Sequence, residues 1–446
     1  MKNDNLYKEL HTFSDENKLP VCDSIQFKRL TDTYTKEVFR ETLSEYIATE
    51  KPKFPLRTIT KEKVREVFYD LINFDTSKIC TPEDQNQNHV FEKYDDYKYP
   101  YSKYGLGLIE ASSQFNDISN AFHQDLRLDC GTYKIKSPKE TWEKGTPKEI
   151  WSTLGGLWRG VNSKADLSPE SYIEVIRLGT YIATQFKPVV AKTIYDMTNA
   201  RYVLDTSCGW GDRLAGFYAS KAFFYVGCDP NPNTFERYKE QCIYYEKLNG
   251  CNDPKIHEHE HYFNILGNKH VSIFKMGSED LNQIQLSLKH VTRGDPLCTG
   301  KFDVAFTSPP YFSTEKYNAG YDEEENQSWH KYDTYEKWRD NFYLKTAEIV
   351  DKYATYNFVN IMDPTVKGKR YRSGDELVDR FKDKFLGQIG MKIRQRPKSD
   401  KLFESEEEKK KFVSSTFIEN VWCFGPKDQL DFFRNSRVAT LDQFFE

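Results

Sequence analysis

From about residue 166 onward, short apolar runs alternate with longer stretches of helical spacing. Tyr202-Val203-Leu204-Asp205 predicts a buried strand, followed by a helix over 214–220. Residues 223–228 predict a second strand, then the turn Asp229-Pro230-Asn231-Pro232 and a helix over 234–248. Strands three, four and five fall at 271–275, 304–306 and 356–361, with a helix over 335–353 before the fifth. A late strand at 417–424 reads as part of a terminal hairpin. Just upstream, the helical stretch 168–196 is interrupted at Phe186-Lys187-Pro188, where Pro188 suits the first turn of a new helix. Strand, turn and helix in this rhythm call for an α/β fold: a mostly parallel, Rossmann-like sheet with helices on both faces.

Residues 1–165 carry a different pattern. The stretches 36–48 and 61–72 have helical apolar spacing, and 83–104 is polar and tyrosine-rich, as in a loop or an edge. Trp142, Trp151 and Trp158 read as helix core rather than as a stacking surface. Two regions follow: a mostly helical accessory region over 1–165 and an α/β domain over 166–446.

Composition narrows the class. With 38% hydrophobic residues, 29 Tyr and 31 Phe in 446 residues, the chain folds rather than staying disordered. It shows no membrane-length apolar stretch and no signal-peptide pattern, so a cytoplasmic protein is expected. Nine dispersed cysteines with no C-x-x-C pair fit a reducing compartment. The net charge of −4 leaves any nucleic-acid contact to a local basic surface.

The candidate chemistry lies at the ends of the predicted strands. After the first comes Asp205-Thr206-Ser207-Cys208-Gly209-Trp210-Gly211-Asp212-Arg213, whose glycines let a ligand approach the backbone. Its spacing is neither the dinucleotide G-x-G-x-x-G nor a Walker loop. Asp229, ending the second strand, can accept hydrogen bonds from two ribose hydroxyls. Gly277-Ser278-Glu279-Asp280 follows the third strand and can meet an adenine edge, with the contacting acid left open between Glu279 and Asp280. This set suits a cationic nucleoside, S-adenosyl-L-methionine, better than a phosphate-rich cofactor. After the fourth strand, Thr307-Ser308-Pro309-Pro310-Tyr311 offers a hydroxyl, a stiff carbonyl and an aromatic ring. Two successive prolines hold them rigidly.

In combination and in this order, D-T-S-C-G-W-G-D-R, C-D-P-N-P, G-S-E-D and T-S-P-P-Y resemble the S-adenosylmethionine-dependent DNA amino-methyltransferases, over roughly residues 165–446. Q-F-K-P (185–188) lies where that family's cofactor-methionine motif sits, and N-Q-S-W-H-K-Y-D-T-Y-E-K-W (326–338) looks like a segment of phage- and virus-type members. The resemblance implies a class I methyltransferase sheet and a bacterial or viral setting. Asp205, Gly209 and Gly211 would cradle the methionine end beside Phe186, and Asp229 would hold the ribose. Ser278 or Glu279 would lie by the adenine. Ser308, Pro309, Pro310 and Tyr311 would form the target-base site, the base being flipped out of the duplex. Thr206-Ser207 departs from the Phe or Pro often found after the first acid. Ser308 favours N4 of cytosine. N6 of adenine, RNA or a protein amide, and an inactive nucleic-acid-binding relative remain as alternatives.

For the DNA partner, Lys367, Lys369, Arg370 and Arg372 form one basic cluster, and Arg394 and Arg396, with Lys392 and Lys398, form another; both are candidates for phosphate contacts. Residues 1–165 could share in DNA recognition. His257, His259 and His261 alternate with glutamates, and they read as an exposed polar connection, with no metal expected.

Overall fold

A computed structural model describes residues 3–82, 90–286, 300–393, 404–414 and 416–427. In chain order the first eight strands are β1 (Cys80–Pro82), β2 (Val90–Phe91), β3 (Gly105–Glu110), β4 (Gly131–Thr132), β5 (Tyr202–Asp205), β6 (Phe224–Cys228), β7 (Lys255–His259) and β8 (Tyr262–Leu266). Then follow β9 (His270–Phe274), β10 (Phe302–Thr307), β11 (Glu315–Lys316), β12 (Ala354–Asn360), β13 (Thr365–Val366), β14 (Lys369–Arg370), β15 (Phe385–Ile393) and β16 (Thr416–Phe424). Arg394 and Arg396, proposed for phosphate contacts, lie outside the described residues. Among the described residues no helix is long and apolar enough to cross a membrane.

The chain forms two compact units, each assembled from three segments. One comprises Met1–Thr60, His123–Thr184 and Glu315–Tyr321; the other comprises Lys61–Phe122, Gln185–Thr314 and Asp322–Glu446. A division at 165/166 does not follow these units. Lys61–Phe122 goes with the sheet because β3 supplies a strand that pairs with β15, and β1 pairs with β3. The alternating G-L-G-L-I-E of β3 gave no apolar run in the sequence strong enough to reveal it.

The first unit is helical. Its core gathers Leu6, Leu10, Phe39, Leu43, Trp142 and Tyr172, with Trp158 packed against it. Trp151 is the exception among the tryptophans: it is exposed, with the Arg40 guanidinium 3.6 Å above its ring. β4 and β11 form a small antiparallel pair in this unit.

The second unit is built on the large sheet, ordered β1-β3-β15-β16-β12-β10-β5-β6-β9-β8-β7. Its middle, β9-β6-β5-β10-β12, is wholly parallel. β5, β6 and β10 are apolar runs buried along almost their entire length, as strands covered on both faces must be. Helices Asp212–Ala219 and Pro232–Leu248 follow β5 and β6. The stretch before β12 is helical from Tyr335 to Tyr353, with a π-helical segment at Arg339–Tyr343. β16 inserts antiparallel between β12 and β15, so the late strand does form a hairpin-like pair, with β15. The sheet is therefore α/β and Rossmann-like, with a mixed flank.

Candidate active site

Strand order reverses between β5 and β10. From β5 the chain runs outward through β6 to β9, and from β10 it runs the other way to β12. A crevice opens at such a switch point, beyond the carboxyl ends of the strands. The register Leu204 to Ala305 brings the loops after β5 and β10 out side by side. The glycine loop and the Pro-Pro-Tyr turn therefore flank one crevice.

Gly209 (φ 59°) and Gly211 (φ 69°) both occupy the left-handed region, which is why glycine stands at each. A Cβ at Gly211 would run into the Gln241 side chain. One at Gly209 would make only ordinary van der Waals contacts, with the Ser207 carbonyl (3.7 Å) and the Arg213 guanidinium (3.9 Å), so at that position the backbone conformation and not crowding calls for glycine. The Gly209 amide donates to Asp229 Oδ2 (3.0 Å), joining the turns after β5 and β6. Tyr238 strengthens the joint by donating from its hydroxyl to Asp229 Oδ2 (3.1 Å) and to the Gly209 carbonyl. The Asn231 amide donates to Asp229 Oδ1 (3.0 Å). Burial pushes the Asp229 carboxyl up to about 6, against these hydrogen bonds, which pull it down. The residue keeps an exposed edge.

Asp205 is placed differently from an open ligand group. It is completely buried; its Oδ2 accepts from Arg213 Nε (2.9 Å) and Tyr225 OH (2.7 Å), and its Oδ1 from the Ser207 amide (3.1 Å). Arg213, 4% exposed at its side chain, also donates to the Ser207 carbonyl. The acid and the arginine of D-T-S-C-G-W-G-D-R thus form an internal ion pair that shapes the loop. Phe186 sits edge-on to Phe306 (5.3 Å between centroids), with the Arg213 guanidinium 5.4 Å from its ring. Its neighbour Gln185 is buried and donates to Asp212 Oδ1 (3.0 Å) and Ser119 Oγ (3.2 Å), while its oxygen accepts from Asn116 Nδ2 (3.1 Å). Asn116 and Ser119 come from the stretch without motifs. No local pattern could have singled them out.

At the end of β9, Ser278 Oγ lies 2.9 Å from Thr346 Oγ1, inside the protein. Glu279 is 5% exposed, and its Oε1 accepts from Lys331 Nζ (2.6 Å) and Tyr332 OH (2.8 Å). Its Oε2 is buried without a hydrogen-bond partner among the described residues. A Cβ on Gly277 would meet that carboxylate and displace it. Asp280 is half-exposed, 3.6 Å from Lys331 Nζ.

The Pro-Pro-Tyr turn leaves β10 directly. Pro309 is buried, Ser308, Pro310 and Tyr311 are half-buried, and the Tyr311 hydroxyl donates to the Asn360 carbonyl (3.5 Å). Phe312, the next residue, is buried among Tyr335, Trp338 and Tyr371 at a φ of 50°. The hydroxyls of Thr206 and Thr307, just past β5 and closing β10, are buried without partners among the described residues. A left-handed glycine turn at Gly209, an acid at Asp229 that keeps an exposed edge and these unmet polar atoms fit a polar nucleoside ligand.

The first basic cluster divides in two. β13 and β14 form a hairpin whose two-residue turn has positive φ at Lys367 (51°) and Gly368 (81°), leaving Lys367 and Lys369 exposed. Arg370 is committed inside the fold: Nε donates to Asp363 Oδ2 (2.9 Å), Nη1 to Asp96, and the guanidinium lies 3.6 Å from the Tyr94 ring. Arg372 likewise pairs with Asp96 Oδ2 (2.6 Å). Their charges are neutralised locally, which argues against a phosphate role for either. Burial raises the Asp363 carboxyl to about 6, opposed by Arg370. His257 and His259 lie on the exposed edge strand β7, and His261 lies in the turn after it.

No family model and no curated protein matches the chain. Among solved structures, a protein described as a putative RNA methyltransferase from Pyrococcus horikoshii aligns over 53% of this chain and 81% of its own, at 10% identity and a TM-score of 0.25. At those values the two share too little for chemistry to pass from one to the other.

Proposed function

We propose that the protein is a methyltransferase that uses S-adenosyl-L-methionine to methylate the exocyclic amine of a flipped base in DNA, with N4 of cytosine the favoured target. One observation carries this: the glycine loop with Asp229 and the Ser308–Tyr311 turn flank the same switch-point crevice, from adjacent parallel strands. Gly209 would admit the cofactor, Asp229 would accept hydrogen bonds from the ribose hydroxyls, and Phe186 would pack beside the methionine end. Asp205 would act on that end through the loop, by holding Arg213 and the Ser207 amide. When bound, the cofactor supplies an electrophilic methyl group on a sulfonium.

The amine of a base is a poor nucleophile because its lone pair is delocalised into the ring. The Ser308 hydroxyl and the Pro309 carbonyl can each accept one of its hydrogens. That favours a pyramidal nitrogen whose lone pair points at the methyl. Both hydrogen bonds strengthen as positive charge builds on nitrogen, so they stabilise the transition state more than the ground state. The nitrogen then sheds one proton to solvent. Tyr311 would stack on the extruded base, and the exposed Lys367 and Lys369 would meet phosphates.

The test is incubation of duplex DNA with labelled S-adenosyl-L-methionine, followed by digestion to nucleosides. N4-methylcytosine is the expected product. N6-methyladenine would reassign the base, and label found only in RNA or protein would overturn DNA as the substrate. Ser308→Ala should lower turnover by about 100-fold or more with cofactor affinity near normal; loss of cofactor binding instead would mean that this turn is not the base site.

A further inference from the structure

Two segments on the cofactor side of the crevice touch residue by residue. Gln185 Nε2 donates to Asp212 Oδ1 (3.0 Å), and one position on, the Phe186 ring lies 5.4 Å from the Arg213 guanidinium. The resemblance puts the first segment by the methionine end of the cofactor, and the second closes the glycine loop. Ser119 completes a triangle at the same carboxylate oxygen: its hydroxyl donates to Asp212 Oδ1 and accepts from Gln185 Nε2 (3.2 Å). Asn116 Nδ2 donates to Gln185 Oε1 (3.1 Å), so the glutamine amide is engaged at both its oxygen and its nitrogen. All four of these polar residues are buried, Ser119 completely. A buried network of this kind holds one geometry, because any departure strands donors and acceptors away from water. On the other side of Asp212, the Gly211 carbonyl accepts from Gln241 Nε2 (2.9 Å), which fixes the turn before it. Phe186 is only half-buried, so the residue that follows Gln185 keeps a surface to offer a ligand.

We propose that Ser119 and Gln185, acting through Asp212, are positioning residues for the amino-acid end of the cofactor. Both are inside the protein and act on the ligand only through their neighbours: they hold the Phe186 ring and the Gly211 turn at one spacing. The assignment rests on the S-adenosyl-L-methionine-dependent function proposed above, and it draws residues 116–119, which no motif marks, into the cofactor site. The work is then divided along the ligand. Asp229 serves the ribose, whereas 185–186 and 211–213 serve the homocysteine portion.

The experiment titrates the full chain by calorimetry with two ligands: S-adenosyl-L-homocysteine, which carries the amino-acid end, and methylthioadenosine, which lacks it. Gln185→Met keeps the volume and removes the hydrogen bonds. It should weaken S-adenosyl-L-homocysteine by about 10-fold or more and leave methylthioadenosine within about 2-fold. Ser119→Ala should show the same split, at about 3- to 10-fold. The double variant should bind as Gln185→Met does, because both residues act through one carboxylate. Equal losses for the two ligands, or no loss for either, overturn the assignment, since a general loosening of the fold would not tell them apart. Losses that multiply in the double variant overturn it too. If Gln185→Met fails to fold, the split measured with Ser119→Ala decides alone. Wild-type protein that binds neither ligand would instead overturn the function on which the assignment rests.

Discussion

Replacing Asp205 by asparagine separates two roles that the same carboxylate could have. In the structure it serves Arg213, Tyr225 and the Ser207 amide, with no exposed surface of its own. Asp205→Asn keeps the shape but leaves the Arg213 guanidinium, 4% exposed, without its counter-charge. Breaking a buried pair from one side typically costs about 3–5 kcal/mol, because the remaining charge stays buried and uncompensated. The amide oxygen can still accept from Tyr225 and Arg213 at one position, or from the Ser207 amide at the other, so the lower half of that range is expected, about 3–4 kcal/mol. Adding Arg213→Met removes the stranded charge. The double variant should therefore be more stable than the single one, with a coupling of about 2–3 kcal/mol. Guanidinium unfolding of the four proteins in the cycle measures both quantities. Cofactor titration alongside should show affinity falling with stability and recovering with it. A loss below about 1 kcal/mol, a coupling near zero and abolished cofactor binding would together refute the internal role and make Asp205 a ligand group.

Two further outcomes follow from single groups. Asp229 has a folded carboxyl at about 6, above its ordinary 3.8, so the native state holds its proton through the window between those values. Its contribution to stability is full below that window and is lost as pH rises through 6. Cofactor binding should run the other way, strengthening as Asp229 ionises and can accept from two hydroxyls; Asp229→Asn should flatten the profile, and equal wild-type affinity at about pH 5 and about pH 7.5 would refute the ribose role. In the basic cluster, Arg370→Ala should destabilise the protein by about 2–4 kcal/mol by stranding Asp363. Lys367→Ala with Lys369→Ala should leave stability within about 0.5 kcal/mol. The lysine pair should also reduce the salt dependence of DNA binding by about two phosphate contacts, and an unchanged salt dependence would remove the hairpin from the interface.

The parallel strands were legible because strands buried on both faces are continuous apolar runs, and 202–205, 223–228 and 304–306 are such runs. Gly209 and Gly211 were legible because a left-handed turn needs glycine. What stayed hidden depends on partners far along the chain. β3 is a short, glycine-interrupted strand that becomes recognisable only beside β15. Gln185 is anchored by Asn116 and Ser119, some seventy positions upstream, in a stretch with no motif of its own. Arg370 and Arg372 read as a surface charge run because nothing local reveals Asp96, more than 270 positions away. Burial of Glu279 beneath Lys331 and Tyr332 was equally invisible, because both come from more than fifty positions downstream.

The place of β16 bears on how the molecule is made. It is the last described strand, yet it lies inside the sheet, between β12 and β15. During synthesis every other described strand of that sheet leaves the ribosome first, and two blocks, β12-β10-β5-β6-β9-β8-β7 and β1-β3-β15, wait with facing edges unpaired. Such edges invite pairing with other chains. Closure of the sheet is thus a late event, and nascent chains stalled before residue 416 should depend on chaperones far more than chains extended beyond 424.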